Sequence, residues 1–219
     1  GFSRYALFGG SWGATLALLY AYREPGHCLG IILRGIFLNT ENNLHWLYGD
    51  GASSMFPAAW ADFTAPINHS LGSINDVLTA YAKLLHAEDE FTRLQAARAW
   101  NLWEYRLSVA DSQATQARKT RPSNELSNAQ IEHHYLSQYC FFDPKLFDRP
   151  NAVLDAIPIY LLHGANDYVC PLGNATHLKA LFPQIKLEIL EDAGHCAFSP
   201  KMAEGLCGAT RRLAGLYGH

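Results

Sequence analysis

The feature that most constrains this chain is Gly9-Gly10-Ser11-Trp12-Gly13, which sets a serine with small neighbours between the apolar run Tyr5-Ala6-Leu7-Phe8 and the alanine- and leucine-rich segment 14–22. A short apolar run bounded by glycine reads as a buried strand, and the segment that follows reads as a helix. A serine at so sharp a strand-to-helix turn must take a strained backbone conformation. Gly9 and Gly13 are therefore expected to leave room for the close approach, while Ser11 lifts its hydroxyl at the positive end of the helix. Such an elbow presents a nucleophile.

With 219 residues, 49% hydrophobic and 17% charged, the chain has the composition of a globular protein with one substantial core and room for an inserted subdomain. A net charge of -3, scattered rather than in runs, provides no basic field for nucleic acid or an anionic membrane, which leaves a small molecule or peptide as the expected partner. No apolar stretch approaches the roughly 18 residues needed to span a bilayer. Five cysteines without a CxxC pair indicate neither a disulfide framework nor a thiolate metal site, and favour a reducing compartment. The adjacent His133 and His134 diverge on any regular element and no HExxH spacing occurs, so no metal site is expected.

Three further short runs rich in Ile and Leu, 28–33, 157–163 and 185–190, read as buried parallel strands. Helices are expected over 14–22 and 174–181 between them and over 200–217 as a closing element. This β-α-β alternation is the signature of an α/β fold with a mostly parallel sheet. The interval 39–150 breaks the alternation, is rich in Trp, Leu and Ala, and reads as an inserted helical cap on a core of 1–38 and 151–219. Within it, 87–105 reads as a helix and the polar stretch 111–130 as a mobile loop.

A serine nucleophile needs a base to take its proton and an acid to orient that base. In α/β hydrolases these follow in the order Ser, Asp, His on loops at strand C-terminal ends. Asp167, in His163-Gly164-Ala165-Asn166-Asp167, and His195, in Asp192-Ala193-Gly194-His195, occupy those places. Asp192 lies too near His195 in sequence to approach it from a separate loop, and Asp155 precedes its strand. His163, closing an apolar run, is expected to be a packed, hydrogen-bonded histidine. The Trp12 amide at the helix N-terminus is the expected oxyanion donor. A second donor would come from a loop earlier in the chain, for which the residues before the elbow leave no room.

The surrounding words, Gly9 to Leu18, Leu33-Arg34-Gly35-Ile36-Phe37, Asp50-Gly51-Ala52, Ala99-Trp100-Asn101-Leu102-Trp103-Glu104, Ile131-Glu132-His133-His134-Tyr135 and His163 to Pro171, closely resemble those of prolyl aminopeptidases, also called proline iminopeptidases. The resemblance implies an α/β-hydrolase fold and a cytoplasmic serine exopeptidase without cofactor that releases N-terminal proline from small peptides. It implies that Glu104 and Glu132 of the cap bind the free amino terminus and that Phe37 packs against the pyrrolidine ring. Leu47 departs from it, an aromatic being expected there. The chain resembles the C-terminal two-thirds of that family, without its His-Gly-Gly-Pro-Gly oxyanion loop. The elbow strand is accordingly expected to have an unpaired edge, completed by upstream sequence or covered by self-association. An esterase or amidase of the same fold, or a non-catalytic remnant that binds peptides, are the alternative readings.

Overall fold

The computed structural model of the chain describes residues 2–67, 72–109, 124–150 and 152–218. In chain order the principal elements are β1 (Tyr5–Gly10), α1 (Trp12–Arg23), β2 (Cys28–Arg34), α2 (Glu41–Tyr48), α3 (Gly51–Met55), α4 (Pro57–Thr64), α5 (Ile74–Leu85), α6 (Glu90–Val109), α7 (Glu125–Ser137), α8 (Ala152–Asp155), β3 (Ile159–Gly164), α9 (Leu172–Leu181), β4 (Lys186–Leu190) and α10 (Pro200–Gly215). The chain divides into two compact units. The first holds Gly1–Leu38 and Pro144–His219, and the second holds Asn39–Leu107 and residues up to Asp143. Residues 144–150, read from sequence as part of the cap, group with the sheet.

In the first unit the strands form one parallel sheet in the order β1-β2-β3-β4. Every residue of β3 is buried, as expected of a central parallel strand that reads as continuous Ile and Leu rather than as an alternation. Ile32, Tyr160 and Leu162 pack with Met202, Leu206, Ala209 and Leu213 of α10, so alternate residues of neighbouring strands share one face and meet one stripe of the helix. β1 forms one edge of the sheet, and there Phe8 is 60% exposed and Tyr5 37%.

The second unit is all helical among the described residues and is organised by aromatic packing. Phe63 stacks on Tyr81 at 4.8 Å between ring centroids, Tyr48 stacks on Trp100 at 5.0 Å, and Tyr81 meets Trp100 edge-on at 4.9 Å. The buried face of α6, Ala96, Trp100, Trp103 and Leu107, follows the spacing of a single helical stripe. The polar ends of its indoles are satisfied: Trp103 Nε1 donates to the Leu47 carbonyl at 3.0 Å, and Trp100 Nε1 to Glu132 Oε2 at 3.0 Å. Leu47, the departure noted above, is itself buried. Residues 125–130, expected in a mobile loop, instead open α7, whereas 111–123 lie outside the described residues.

Truncating Phe63, which touches Tyr48, Trp60, Tyr81, Trp100 and Trp103, would remove the ring shared by most of these pairs. Phe63→Ala is expected to destabilise the protein by about 3–5 kcal/mol, read as a lowered urea midpoint with little change in slope.

Candidate active site

The elbow forms as a strained turn. β1 ends at Gly10, α1 begins at Trp12, and Ser11 between them has φ 56° and ψ -125°, a conformation that costs a non-glycine residue about 1–3 kcal/mol. Two backbone hydrogen bonds hold it: the Ser11 amide donates to the Arg34 carbonyl at 2.9 Å, and the Ala14 amide donates to the Ser11 carbonyl at 3.0 Å. The roles expected of the two flanking glycines differ. A Cβ at Gly9 would lie 2.1 Å from the Gly13 carbonyl oxygen, so position 9 admits no side chain. A Cβ at Gly13 would meet nothing within 4 Å; what approaches Gly9 is the Gly13 backbone, and the room is left by Gly9 alone.

Asp167 and His195 come from the loops after β3 and β4. The two loops are tied by the Asn166 amide, which donates to the Ala193 carbonyl at 3.1 Å. Oδ1 of Asp167 accepts from the amides of Val169 at 3.0 Å and Cys170 at 2.7 Å, which fixes the carboxylate plane, and Oδ2 accepts from His195 Nδ1 at 2.7 Å. Both side chains are buried, with Asp167 4% and His195 6% exposed. Burial alone would raise the Asp167 carboxyl. The neighbouring His195 and His163 imidazoles and the amide donors outweigh that and hold it below the ordinary carboxylate value. With Nδ1–H committed to the carboxylate, His195 Nε2 keeps its lone pair and is free to act as a base. Among the described residues the Ser11 hydroxyl makes no hydrogen bond to that ring, a separation common in unliganded hydrolytic sites.

His163 is fully buried, its Nε2–H donates to the Cys170 carbonyl at 2.8 Å, and the same nitrogen lies 3.6 Å from Asp167 Oδ2. Burial lowers its pKa, so it is packed as a neutral ring. Asp192 is exposed and Asp155 closes α8 before β3. Trp12 is the first residue of α1. Phe37 lies three residues beyond β2, buried, and its carbonyl accepts from the Thr15 hydroxyl.

In the second unit Glu104 on α6 and Glu132 on α7 share one neighbourhood. Burial first, and then the Glu104 charge, push the Glu132 carboxyl well above its ordinary value, against the Trp100 indole bond that lowers it. The same two charges add to the effect of burial in raising the Tyr48 phenol. Burial beside a second carboxyl makes the ionised form of Glu132 costly, which a cation placed there would relieve. No group of residues suited to a metal ion occurs among the described residues.

The family model for the alpha/beta hydrolase fold matches residues 1–201. A proline iminopeptidase of Xylella fastidiosa (strain 9a5c) is 40% identical over 215 residues, covering 96% of this chain and 67% of that protein. One of Xanthomonas citri is 36% identical over 220 residues, covering 98% and 68%. The chain belongs to the proline iminopeptidase family of α/β hydrolases. A solved carboxylesterase structure from Nitrososphaera gargenis shares the fold, with a TM-score of 0.54 at 14% identity over 98% of this chain and 67% of that one. No helix among the described residues is long and apolar enough to cross a membrane.

One residue of this proline iminopeptidase-family chain escaped sequence reasoning although its signal was present. Gly35 follows β2 with φ +52°, and a Cβ there would lie 2.9 Å from Asp167 Oδ2 and 3.0 Å from His195 Nδ1. It is the floor under the acid–base pair, and the Arg-Gly step at a strand end was its only mark in the sequence. Trp100, the indole donor to Glu132, is a second such residue.

Two outcomes follow from this geometry. Gly9→Ala is expected to abolish the elbow and to lose soluble folded protein, whereas Gly13→Ala, inside α1 with open space at its Cβ, raises the thermal midpoint through a helix-propensity gain of roughly 0.5–1 kcal/mol. The pH dependence has a definite sign. His163 has a folded pKa below its unfolded value of about 6.5, so its contribution to stability falls as pH drops below that value, and the contribution of Asp167, depressed below about 3.8, is lost further down. Urea midpoints are expected to decline steadily from about pH 7 to 5, less steeply in His163→Gln, which keeps a donor for the Cys170 carbonyl.

Proposed function

We propose that this protein is a serine exopeptidase that releases N-terminal proline from peptides. The observation that carries the reading is the 2.7 Å bond from His195 Nδ1 to a buried, anionic Asp167, set beside a strained serine elbow in a chain of this family. Ser11 Oγ attacks the prolyl carbonyl carbon as its proton passes to His195 Nε2, and the carbonyl oxygen becomes an oxyanion that accepts from the Trp12 amide. The imidazolium, steadied by Asp167, returns the proton to the leaving amine as the peptide bond breaks and the prolyl ester forms on Ser11. Water, deprotonated by the same ring, then releases proline.

Glu104 and Glu132 are proposed to hold the cationic imino terminus, with Phe37 against the pyrrolidine ring. The raised Glu132 pKa supports this assignment, because a buried carboxyl that is costly as an anion is stabilised in that form by an ammonium beside it. The exposed edge of β1 supports a further strand pairing there, from upstream sequence or a second copy. The five free cysteines, Cys28, Cys140, Cys170, Cys196 and Cys207, support a reducing compartment such as the cytoplasm.

A serine-directed phosphonate is expected to modify Ser11, and not Ser11→Ala, by mass spectrometry. Glu132→Gln is expected to raise KM for a prolyl substrate about ten- to a hundredfold with a smaller change in kcat. The same variant should raise the thermal midpoint at pH about 8, where an ionised Glu132 is costly, and make it less dependent on pH, since a raised carboxyl pKa weakens the fold as pH rises. Equal turnover of an ester lacking an amino group, unaffected by Glu104→Gln, would replace this reading with a general esterase.

A further inference from the structure

We propose that Arg34 is a positioning residue that staples the loop carrying His195 to the strand carrying Ser11. Its catalytic readout rests on the hydrolase reading above; its structural readout does not.

Arg34 ends β2, paired with Gly10 of β1 on one side and Leu162 of β3 on the other. The serine elbow follows β1, but His195 follows β4, which pairs only with β3. The base must therefore be brought back across two strands, β3 and β2, to reach the nucleophile. The loop between β4 and α10 has no regular structure, and its hold on the sheet comes early: Ala193 O accepts from Asn166, and Glu191 O accepts from Asn166 Nδ2 at 3.2 Å. At His195 the ring is held by Asp167 and the main chain by Arg34, whose Nη1 donates to the His195 carbonyl at 2.7 Å. The bond goes to the backbone and not to the ring, so it orients the imidazole without taking the lone pair that the base needs.

The other side of the guanidinium rests on the elbow. A Cβ at Gly10 would lie 2.4 Å from Arg34 Nη2 and 2.8 Å from both Cζ and Nε, which means that the planar group lies against the bare Cα of the residue before the nucleophile. Gly10 is thus a seat for Arg34. The Ser11 amide bonded to the Arg34 carbonyl completes the connection, so main chain and side chain of one residue hold the nucleophile and the base. Lysine offers neither the plane that fits this seat nor a fork with the same reach.

The test measures hydrogen exchange of the segment 191–199 by mass spectrometry, together with the rate of phosphonate labelling at Ser11, in Arg34→Met, Arg34→Lys and Gly10→Ala. Loss of a charge-assisted bond is expected to speed exchange in that segment about ten- to a hundredfold in Arg34→Met, while α10 stays unchanged. Labelling should slow by a similar factor, with Arg34→Lys failing to restore it and external guanidinium restoring it in part. Gly10→Ala, whose methyl displaces the guanidinium, should reproduce the loop effect, and the double variant Gly10→Ala/Arg34→Met should show no more exchange than Arg34→Met. Unchanged exchange in both single variants, or exchange raised equally in α10 and β1, would overturn the proposal. Failure of the wild type to cleave prolyl substrates would count against the exopeptidase reading alone, because neither readout uses such a substrate.

Discussion

The site depends on the backbone of Ser11. A β-carbon-bearing residue at φ 56° and ψ -125° is unfavourable by an amount comparable with a fair fraction of a domain's whole stability, and it persists only where the surroundings over-determine it. Here the surroundings are the bond to the Arg34 carbonyl, the start of α1, and the approach of the Gly13 backbone to Gly9 that a single methyl would block. The strain lifts the hydroxyl away from the strand it would otherwise pleat into. It also explains why β2 must lie beside β1: without Arg34 as the neighbour at the strand end, the elbow would have no acceptor for its amide.

Much of this was legible because short apolar runs bounded by Gly, Pro or Asp mark parallel strands, although only β3 is buried throughout and β2 nearly so, while the edge strands β1 and β4 are partly exposed. The runs at 5–8, 28–33, 157–163 and 185–190 became β1 to β4 with boundary shifts of at most two residues, and the glycine-flanked serine fell between a strand and a helix as its neighbours required. What was not legible was decided by contacts distant in sequence. Gly13 looks as essential as Gly9 in a motif, but only the folded turn reveals which of the two faces a carbonyl. Gly35 carries no local signal of the Asp167 and His195 side chains that occupy the place of its missing one. The start of α6 moved from 87 to Glu90 because Asp89 accepts from the Thr92 amide at 2.8 Å and so ends the preceding turn, a cap that composition alone conceals. At 125–130 polarity suggested a loop, and packing of Ala129 and His133 made a helix.

The two units handle buried charge in opposite ways. In the sheet unit Asp167 is paid for by donors: two amides on one oxygen and an imidazole on the other leave it ionised despite near-complete burial, and His163 beside it is kept neutral. In the helical unit Glu132 has one indole donor and a second carboxyl for a neighbour, so its charge is uncompensated and its pKa rises. A buried carboxylate met by several donors stays ionised; one met by a single donor and a second carboxyl is pushed toward its neutral form.

Glu132 sits on a helix whose exit is itself strained. Beyond α7, Tyr139, Cys140 and Phe141 take φ values of 48°, 52° and 59° in succession, a left-handed run that costs non-glycine residues about 1–2 kcal/mol each. Cys140 is buried there, and its thiol is pushed up to about 12 by burial and by the Glu132 charge. The strain at Ser11 and the strain at Cys140 therefore have the same physical reading: in each unit the backbone leaves its preferred conformation at a turn out of a regular element, and well-packed surroundings hold it there.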